Sequence, residues 1–277
     1  ESFGYEARKI IPATLSAIPS DCAAVLDVNP RTTYLPGESD QLTAYLAQGG
    51  SAVLMYDLGF VLEPRLAGAL EQIGIVMSQN VVIDPLDHYS TDPEVVAVPV
   101  YERHPITRSV ALTFFPGVRS ITVLPPPAGV TSPPLFLSSP QSYAREVREV
   151  EERRPGRAGP APAAGNPSAP GRRPLAVAVE GAWPGTPAPR PFRLVVVGDG
   201  DFASNSFLPY MANSDLALAM VRWAVHEDQA PVVAIRMPVP PLVLLTKSQM
   251  QRIFLFIEVL LPLSVIVMGT AVWWRRR

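Results

Sequence analysis

A run of small and acidic residues, GDGDFASNS, begins at Gly198 directly after the strand-like segment RLVVV. Its G-x-G-x-x-A spacing occurs in dinucleotide-binding loops, and aspartate carboxylates are ligands that divalent cations prefer. A dinucleotide loop leads at once into its helix, however, whereas Pro209 delays the next predicted helix to about Ser214. A turn over the carboxyl edge of a sheet, where α/β domains bind ligands, explains the residues better and gives four candidate ligand-binding residues: Asp199, Asp201, Ser204 and Asn205.

The segment VVIDPLDHYSTD contains a second set of side chains that could coordinate a metal ion. Carboxylates and an imidazole are provided by Asp84, Asp87, His88 and Asp92. The first and last of these aspartates precede prolines, and Asp-Pro pairs form turns in which the aspartate side chain caps the loop. Loop capping is therefore the preferred interpretation, with metal binding as the alternative.

Three further residues have side chains suited to catalysis, namely Cys22, His104 and His226. A nucleophilic Cys22 would need a tight strand-to-helix turn and a neighbouring histidine, but it enters the predicted strand CAAVLDV and is interpreted as an inert thiol. His104 is interpreted as a loop residue that bonds a backbone group, and His226 as a cation at a helix end. The sequence therefore assigns no catalytic residue.

The composition excludes two classes of protein. With 277 residues, of which 48% are hydrophobic and 17% charged, the chain can fold around a core and is not a disordered protein. Its net charge of −2 and the lack of a basic stripe with interleaved aromatic residues argue against nucleic acid as a partner. The sequence contains no G-x-x-x-x-G-K-S/T motif, so an associated ATPase would be another polypeptide, and no cofactor is predicted.

The segment from Ile253 to Trp274, IFLFIEVLLPLSVIVMGTAVWW, predicts one transmembrane helix. At roughly 1.5 Å per residue it is long enough to cross a hydrocarbon core of about 30 Å. Its far end carries the residue types that anchor a helix at the membrane interface: Trp273, Trp274, Arg275, Arg276 and Arg277. Basic residues also precede the helix, at Arg236, Lys247 and Arg252. Because those belong to a large domain, where the positive-inside rule is weak, we expect the C-terminus in the cytoplasm, with a cytosolic domain as the alternative.

The body of the chain alternates predicted strands and helices. After the strand CAAVLDV come the helix PGESDQLTAYLAQGG, with Ser39 or Asp40 as its N-cap, the strand SAVLMYD, the helix EPRLAGALEQIG and the strand IVM. Such alternation predicts an α/β fold with a mostly parallel, Rossmann- or flavodoxin-like sheet, amidotransferase-like and incomplete at its N-terminus. The helix SDLALAMVRWAVHE and a final strand, APVVAIR, are predicted near the end.

Changes in composition divide the chain into segments. Residues 1–152 begin an extracytoplasmic α/β domain, with a strand-rich insertion at about 94–139 that contains the runs VVAVPVY, SITVL and PLFLSS. Residues 153–174, rich in Pro, Ala, Gly and Arg, are predicted to be a linker or disordered loop. Residues 175–245 complete the α/β domain, and residues 246–277 form a juxtamembrane segment, the transmembrane helix and a basic cytoplasmic tail.

Six blocks occur in a characteristic order: IPSDCAAVLDVNP, LTAYLAQGGSAVLMYD, EQIGIVMSQNVVIDP, HPITR, RLVVVGDGDFASNSF and LTKSQMQRIFLFIEVLLPLSVIVMGTAVWWRRR. Together they resemble the auxiliary, substrate-binding-like component of ABC-type transport systems, the GldG-like family typified by gliding-motility proteins. The resemblance implies a separate ABC ATPase, a separate multi-span permease and a lipid bilayer as partners. It also implies an upstream membrane segment, strand and helix, and Glu1 rather than Met as first residue agrees with an expected longer precursor.

We therefore expect a non-catalytic, membrane-anchored accessory subunit of an ABC-type transport system in a bacterial inner membrane. Its extracytoplasmic domain would recognise a ligand or a partner, in gliding motility or at the cell envelope. Two alternatives stay open: a membrane-tethered amidotransferase-like enzyme, supported by the fold class alone, and an envelope scaffold unrelated to transport.

Overall fold

The computed structural model describes residues 4–147, 168–187, 190–227 and 254–276. By its internal contacts the chain divides into a unit from Glu1 to Met237 and a unit from Pro238 to Arg277. The described residues of the first unit form a mixed α/β structure, and those of the second form a helix. The predicted final strand APVVAIR lies outside the described residues.

The first unit contains thirteen strands and three α-helices among its described residues. In chain order they are β1 Val25–Val28, α1 Pro36–Ala47, β2 Ser51–Met55, α2 Pro64–Gln72, β3 Ile75–Met77, β4 Asn80–Ile83, β5 His88–Tyr89, β6 Asp92–Val98, β7 Thr113–Pro116, β8 Ile121–Val123, β9 Val130–Thr131, β10 Pro134–Leu137, β11 Tyr143–Glu146, β12 Pro174–Gly181, β13 Phe192–Val197 and α3 Asn213–Ala224.

A six-stranded sheet with the order β1-β2-β13-β12-β10 forms the centre of the unit, and β9 also pairs with β12. The strand β2 is parallel to both β1 and β13, whereas β12 is antiparallel to β13, β10 and β9. The expectation of a mostly parallel sheet is therefore wrong, and the sheet is mixed. The physical reason is the connection: a helix carries the chain from β1 to β2, but β12 reaches β13 by a short segment that permits only antiparallel pairing.

The remaining strands form three smaller sheets around this centre. The pairs are β4 with β11 and β3 with β8, and the third sheet has the order β5-β6-β7. The predicted strands VVAVPVY, SITVL and PLFLSS overlap β6, β8 and β10, although their ends differ by up to three residues. Most of the predicted linker at 153–174 lies outside the described residues, and its last residue, Pro174, begins β12.

The start of α1 differs from the sequence prediction. The helix begins at Pro36, before the predicted caps Ser39 and Asp40. Proline is well placed at the first helical position because its missing N–H group would have no partner there. The Glu38 carboxylate then accepts a hydrogen bond of 2.8 Å from the backbone N–H of Leu35, which closes the first turn. A proline and a glutamate, rather than a serine or an aspartate, therefore define this end.

Two hydrophobic cores lie on opposite faces of the central sheet. Neighbouring residues of β2 point to different faces, so Leu54 belongs to the first core and Val53 to the second. The helices α1 and α2 cover the first core with side chains such as Leu46 and Leu70. The helix α3 covers the second with side chains that include Trp223. The sheet is therefore buried on both faces where these helices lie.

The second unit contains a continuous apolar helix. Its first turns, Leu255–Leu260, have π-helical hydrogen bonding, and α4 continues over Leu261–Arg276. The 22 residues from Leu255 to Arg276 are long and apolar enough to cross a membrane, by length and composition.

Candidate functional site

Three parallel strands end at the same edge of the central sheet, and polar residues follow each of them. Asn29 follows β1, Asp57 follows β2, and Asp199 and Asp201 follow β13. We call these four residues the carboxyl-edge cluster. Open α/β sheets bind ligands outside the carboxyl ends of their parallel strands, so this is the candidate functional site.

The Asp199 side chain is fully buried and closes the turn that follows β13. Its two carboxylate oxygens accept hydrogen bonds from the backbone N–H groups of Asp201, at 2.8 Å, and Phe202, at 3.3 Å. Burial raises the pKa of the Asp199 carboxyl well above its usual range, the carboxylates of Asp57 and Asp201 add to this, and the two N–H groups oppose it. Asp199 therefore shapes the loop, as the predicted turn requires.

Asp201 connects the loop after β13 to the end of β1. Its carboxylate accepts a hydrogen bond of 2.7 Å from the side-chain amide of Asn29. Burial raises the pKa of the neighbouring Asp57 carboxyl, and the Asp201 carboxylate raises it further, while Arg31 and Arg119 lower it. The edge is thus acidic and partly desolvated, which suits it to a cationic or hydrogen-bond-donating ligand.

The two glycines of G-x-G are required by close packing between loops. A Cβ atom at Gly198 would lie 2.1 Å from the backbone oxygen of Arg119, and one at Gly200 would lie 2.8 Å from the Cβ atom of Asn29. Side chains are excluded at both positions because neighbouring loops occupy the space. The spacing that resembles a dinucleotide loop therefore has a structural explanation in the packing of this edge.

Sequence reasoning missed Arg119, a fully buried arginine behind the edge. Its guanidinium donates to the backbone carbonyls of Ser78 at 2.8 Å, Phe60 at 2.8 Å and Asp57 at 3.3 Å. Burial lowers the pKa of the Arg119 guanidinium to about 10, although Asp57 raises it. Arg119 therefore holds the loop that carries Asp57. The only indication of this buried arginine in the neighbouring sequence is that it is a single basic residue within the run GVRSITV.

The other two predicted ligand-binding residues lie beyond the turn. Ser204 is half-buried, and its backbone carbonyl accepts hydrogen bonds from the N–H groups of Phe207, at 3.1 Å, and Leu208, at 2.8 Å. Asn205 is exposed. The structure thus brings Asp199 and Asp201 together with Asn29 and Asp57, and it places Ser204 and Asn205 further along the same loop. A ligand-binding role for these residues stays a prediction.

The predicted metal-binding loop is held by hydrogen bonds within the protein. The buried Asp84 carboxylate accepts from the backbone N–H groups of Leu86 and Asp87, at 3.0 Å each. It also accepts from the backbone N–H of Ser139 at 2.7 Å and from its hydroxyl at 2.6 Å. Loop capping accounts for these contacts. Over the ranges that the structure describes, no group of three or more His, Cys, Asp and Glu side chains is arranged to hold a metal ion.

The structure places Cys22 before β1. The prediction that Cys22 enters the first strand is therefore wrong. Cys22 is half-buried in a turn, and its N–H donates to the Pro19 carbonyl at 3.1 Å. The reason is that the strand pairing with β2 starts only at Val25. The Nδ1 atom of His104 accepts from the backbone N–H of Ile106 at 3.2 Å, which agrees with the loop role predicted for it.

A cavity of about 460 Å³ lies at the other end of the sheet, between the N-terminal segment and α1. Its lining includes Tyr45, Gly50, which precedes β2, and Arg190, which precedes β13. Its volume is within the range of small-molecule sites. No sequence motif indicates this cavity because its walls come from segments that are far apart in the chain.

The predicted membrane anchors lie at the end of α4. Trp273 and Trp274 are exposed, at 58% and 81%, and Arg275 and Arg276 occupy the last turn of the helix. Arg277 lies outside the described residues. Exposed paired tryptophans followed by arginines are typical of a helix end at a membrane interface.

Comparison with known proteins identifies the family of this chain. The family model described as an ABC-type uncharacterized transport system matches residues 1–224, so the chain belongs to this auxiliary transport family. Among solved structures, the mmIFT52 N-terminal domain matches with a TM-score of 0.56 and 16% identity, over 81% of this chain and 86% of that chain. At this identity the likeness shows a shared fold alone. No curated protein matches the sequence significantly.

Proposed function

We propose that the chain is a non-catalytic, membrane-anchored accessory subunit of a GldG-like ABC-type transport system in a bacterial inner membrane. The observation that carries the proposal is the combination of the family match over residues 1–224 with an apolar helix at Leu255–Arg276. A single helix does not form a translocation pathway, because polar passage through a bilayer needs several packed helices. The partners are therefore a separate ATPase and a separate multi-span permease.

The helix anchors the protein, with the α/β unit on the extracytoplasmic side and the C-terminus in the cytoplasm. This orientation rests on the compact basic cluster that directly follows Trp274. The α/β domain, composed of residues 1–152 and 175–245 in this proposal, faces the periplasm or cell exterior. A role in gliding motility or at the envelope follows from the sequence resemblance.

The α/β unit recognises its ligand or protein partner at the carboxyl edge of the central sheet. The acidic side chains of Asp57 and Asp201 and the amide of Asn29 are supported on a fixed backbone, because Asp199 and Arg119 hold the loops on either side. An acidic, partly desolvated edge favours a partner that brings a cation or several hydrogen-bond donors. Ser204 and Asn205 extend this surface along the loop.

Co-purification tests the transport assignment. Affinity-tagged full-length protein is solubilised in a mild detergent and its associated proteins are identified by mass spectrometry, with an unrelated single-span protein as the control. We expect an ABC ATPase and a multi-span permease in the protein sample only. Recovery of neither, from membranes that contain both, would contradict the proposal.

Reporter fusions test the orientation. A fluorescent protein and an alkaline phosphatase are fused in turn to the C-terminus, since the first reports a cytoplasmic location and the second an extracytoplasmic one. We expect fluorescence and no phosphatase activity. The reverse pattern would place the α/β unit in the cytoplasm and remove the extracytoplasmic part of the proposal.

A further inference from the structure

The cavity of about 460 Å³ lies where β2 and β13 begin, at the end of the sheet opposite the carboxyl-edge cluster. One wall is a face of α1, to which Asp40, Ala44 and Gln48 contribute at spacings of four residues. The facing wall is the N-terminal segment, with Ser16 and Ser20. All five of these lining residues are exposed, so a small molecule can enter the cavity from solvent.

Arg190 lies at the end of the cavity where α1 stops. Its Nε–H group donates a hydrogen bond of 2.8 Å to the carbonyl of Gly49. Gly49 has a φ angle of 85°, and a Cβ atom there would lie 2.5 Å from the Arg190 backbone oxygen, so only glycine permits this approach. Within the described residues the Nη1 and Nη2 atoms of Arg190 have no hydrogen-bond partner. The guanidinium is thus held through one nitrogen and can donate to a ligand through the other two.

The charges of the lining define the class of ligand. Arg190 is a cation at one end, and Asp40 is an anion that also forms an ion pair with Arg65. At roughly 1.5 Å per residue, the α1 wall from Asp40 to Gln48 is about 12 Å long. A guanidinium forms two parallel hydrogen bonds with a carboxylate, and Asp40 disfavours a second negative charge at the far end. The lining therefore suits an elongated molecule with a single terminal carboxylate.

We propose that this cavity binds a short free peptide of about three residues, since an extended chain spans roughly 3.3–3.6 Å per residue. The peptide's C-terminal carboxylate lies on the Nη atoms of Arg190, and its N-terminal ammonium lies towards Asp40. The hydroxyls of Ser16 and Ser20, which have no hydrogen-bond partner within the described residues, can bond to the peptide backbone. The cavity is separate from the carboxyl-edge cluster, so this inference is independent of the proposed function.

Isothermal titration of full-length protein in detergent micelles with trialanine tests the carboxylate end. We expect saturable binding, and binding at least roughly tenfold weaker for trialanine amide, in which a neutral carboxamide replaces the carboxylate. Arg190→Gln should weaken trialanine binding by about tenfold and remove the difference between acid and amide. The matched control is Arg108→Gln, at an exposed arginine outside this cavity, which should bind both peptides like the unmodified protein.

N-acetyl-trialanine tests the other end. Acetylation removes the ammonium charge, so we expect binding to weaken by roughly two- to fivefold, as for exposed ion pairs. Asp40→Asn should bind the free and acetylated peptides equally. No preference for the free peptide in the unmodified protein would contradict the assignment of Asp40 to the peptide's N-terminus.

Three results would overturn the proposal. The first is the absence of saturable trialanine binding by the unmodified protein. The second is equal binding of acid and amide, or binding unchanged in Arg190→Gln, because the carboxylate then does not contact Arg190. The third is displacement of trialanine by an equal concentration of inorganic phosphate, which would identify a general oxyanion site. Should urea unfolding show that Arg190→Gln is not folded, the comparison of acid and amide in the unmodified protein decides.

Discussion

The side-chain amide of Asn29 donates a hydrogen bond of 2.7 Å to the carboxylate of Asp201, although the two residues are 172 positions apart. Asn29 follows β1 and Asp201 lies beyond β13, so the bond passes over the end of β2, which separates these strands in the sheet. It joins the two outer loops of the carboxyl-edge cluster. The close approach of Gly200 to Asn29 shows that the loops also touch through their backbones.

Removing this bond should destabilise the α/β unit. Asn29 has a φ angle of 49°, in the left-handed region that Asn and Gly tolerate. Asn29→Gly keeps this backbone conformation, removes the bond and adds conformational entropy to the unfolded chain, so we expect the free energy of unfolding to fall by about 1–2 kcal/mol. Asn29→Ala should cost roughly 1 kcal/mol more because alanine is strained there. Urea unfolding of the full-length protein in micelles, followed by tryptophan fluorescence, measures both.

The matched control for the two Asn29 variants is Asn205→Gly, at an exposed asparagine in the loop after β13. We expect its unfolding curve to lie within about 0.5 kcal/mol of the unmodified protein. Equal stabilities for Asn29→Gly and the unmodified protein would show that the Asn29–Asp201 bond does not hold the loops together.

Two glycine-to-alanine substitutions should have opposite effects. Gly198→Ala places a Cβ atom 2.1 Å from the backbone oxygen of Arg119, and this contact can be relieved only by moving a strand end. We expect a loss of about 3 kcal/mol or failure to fold. Gly68→Ala lies in α2 with no atom within 4 Å of the new Cβ, so it should stabilise by roughly 0.5–1 kcal/mol. Thermal unfolding of both variants and of the unmodified protein measures the two changes in stability.

The buried Asp199 carboxyl should make stability depend on pH. Its pKa is raised in the folded state, so folding favours the protonated form. The stabilisation that the protonated Asp199 carboxyl gives the folded state is complete below the unfolded-state pKa of about 3.9. It is lost as pH rises through the higher folded-state pKa. Asp199→Asn keeps an oxygen that can accept the Asp201 N–H but carries no charge. We therefore expect its stability, relative to the unmodified protein, to increase as pH rises from 4 to 8.

Urea unfolding at several pH values between 4 and 8 measures this difference. Asp215→Asn in the first turn of α3 is a suitable control, because it also replaces one aspartate and does not belong to the carboxyl-edge cluster. Parallel stability curves for Asp199→Asn and the unmodified protein would mean that the folded and unfolded states bind the Asp199 proton equally.

The apolar helix should behave as a membrane anchor. Met268 lies in the middle of α4 and is 63% exposed in the isolated chain. A charge at the centre of a transmembrane helix raises the insertion free energy by about 2.5–3.5 kcal/mol, so Met268→Arg should shift protein from the carbonate-resistant membrane fraction to the soluble fraction. Met268→Leu is the control and should remain in the membrane. Equal membrane retention of all three proteins would argue against a spanning role.

The sequence predicted the elements whose signals are local. The helices α1, α2 and α3 have apolar residues at helical spacing, and the strands β1 and β2 are short apolar runs between turn residues. The loop role of Asp84 was also predictable, because the Asp-Pro pair is a turn signal. Its partner Ser139 was not, since the two residues are 55 positions apart.

The sheet pairing could not be derived in the same way. Whether β12 lies parallel or antiparallel to β13 depends on how the chain connects them, and both strands carry the same kind of apolar run. Arg119 was missed for a related reason. The carbonyl acceptors at Ser78 and Phe60 are 41 and 59 positions away, so nothing near Arg119 indicates that its charge is buried.

By itself, the sequence determined the α/β character of the chain, the apolar C-terminal helix and the turn that contains Asp199 and Asp201, because periodicity, length and turn chemistry are properties of neighbouring residues. Only the tertiary structure decided that the sheet is mixed, that Asn29 meets Asp201 and that Gly198 and Gly200 must lack side chains. These features arise where strands and loops from distant parts of the chain pack together, and close packing is set by shapes that no local pattern records.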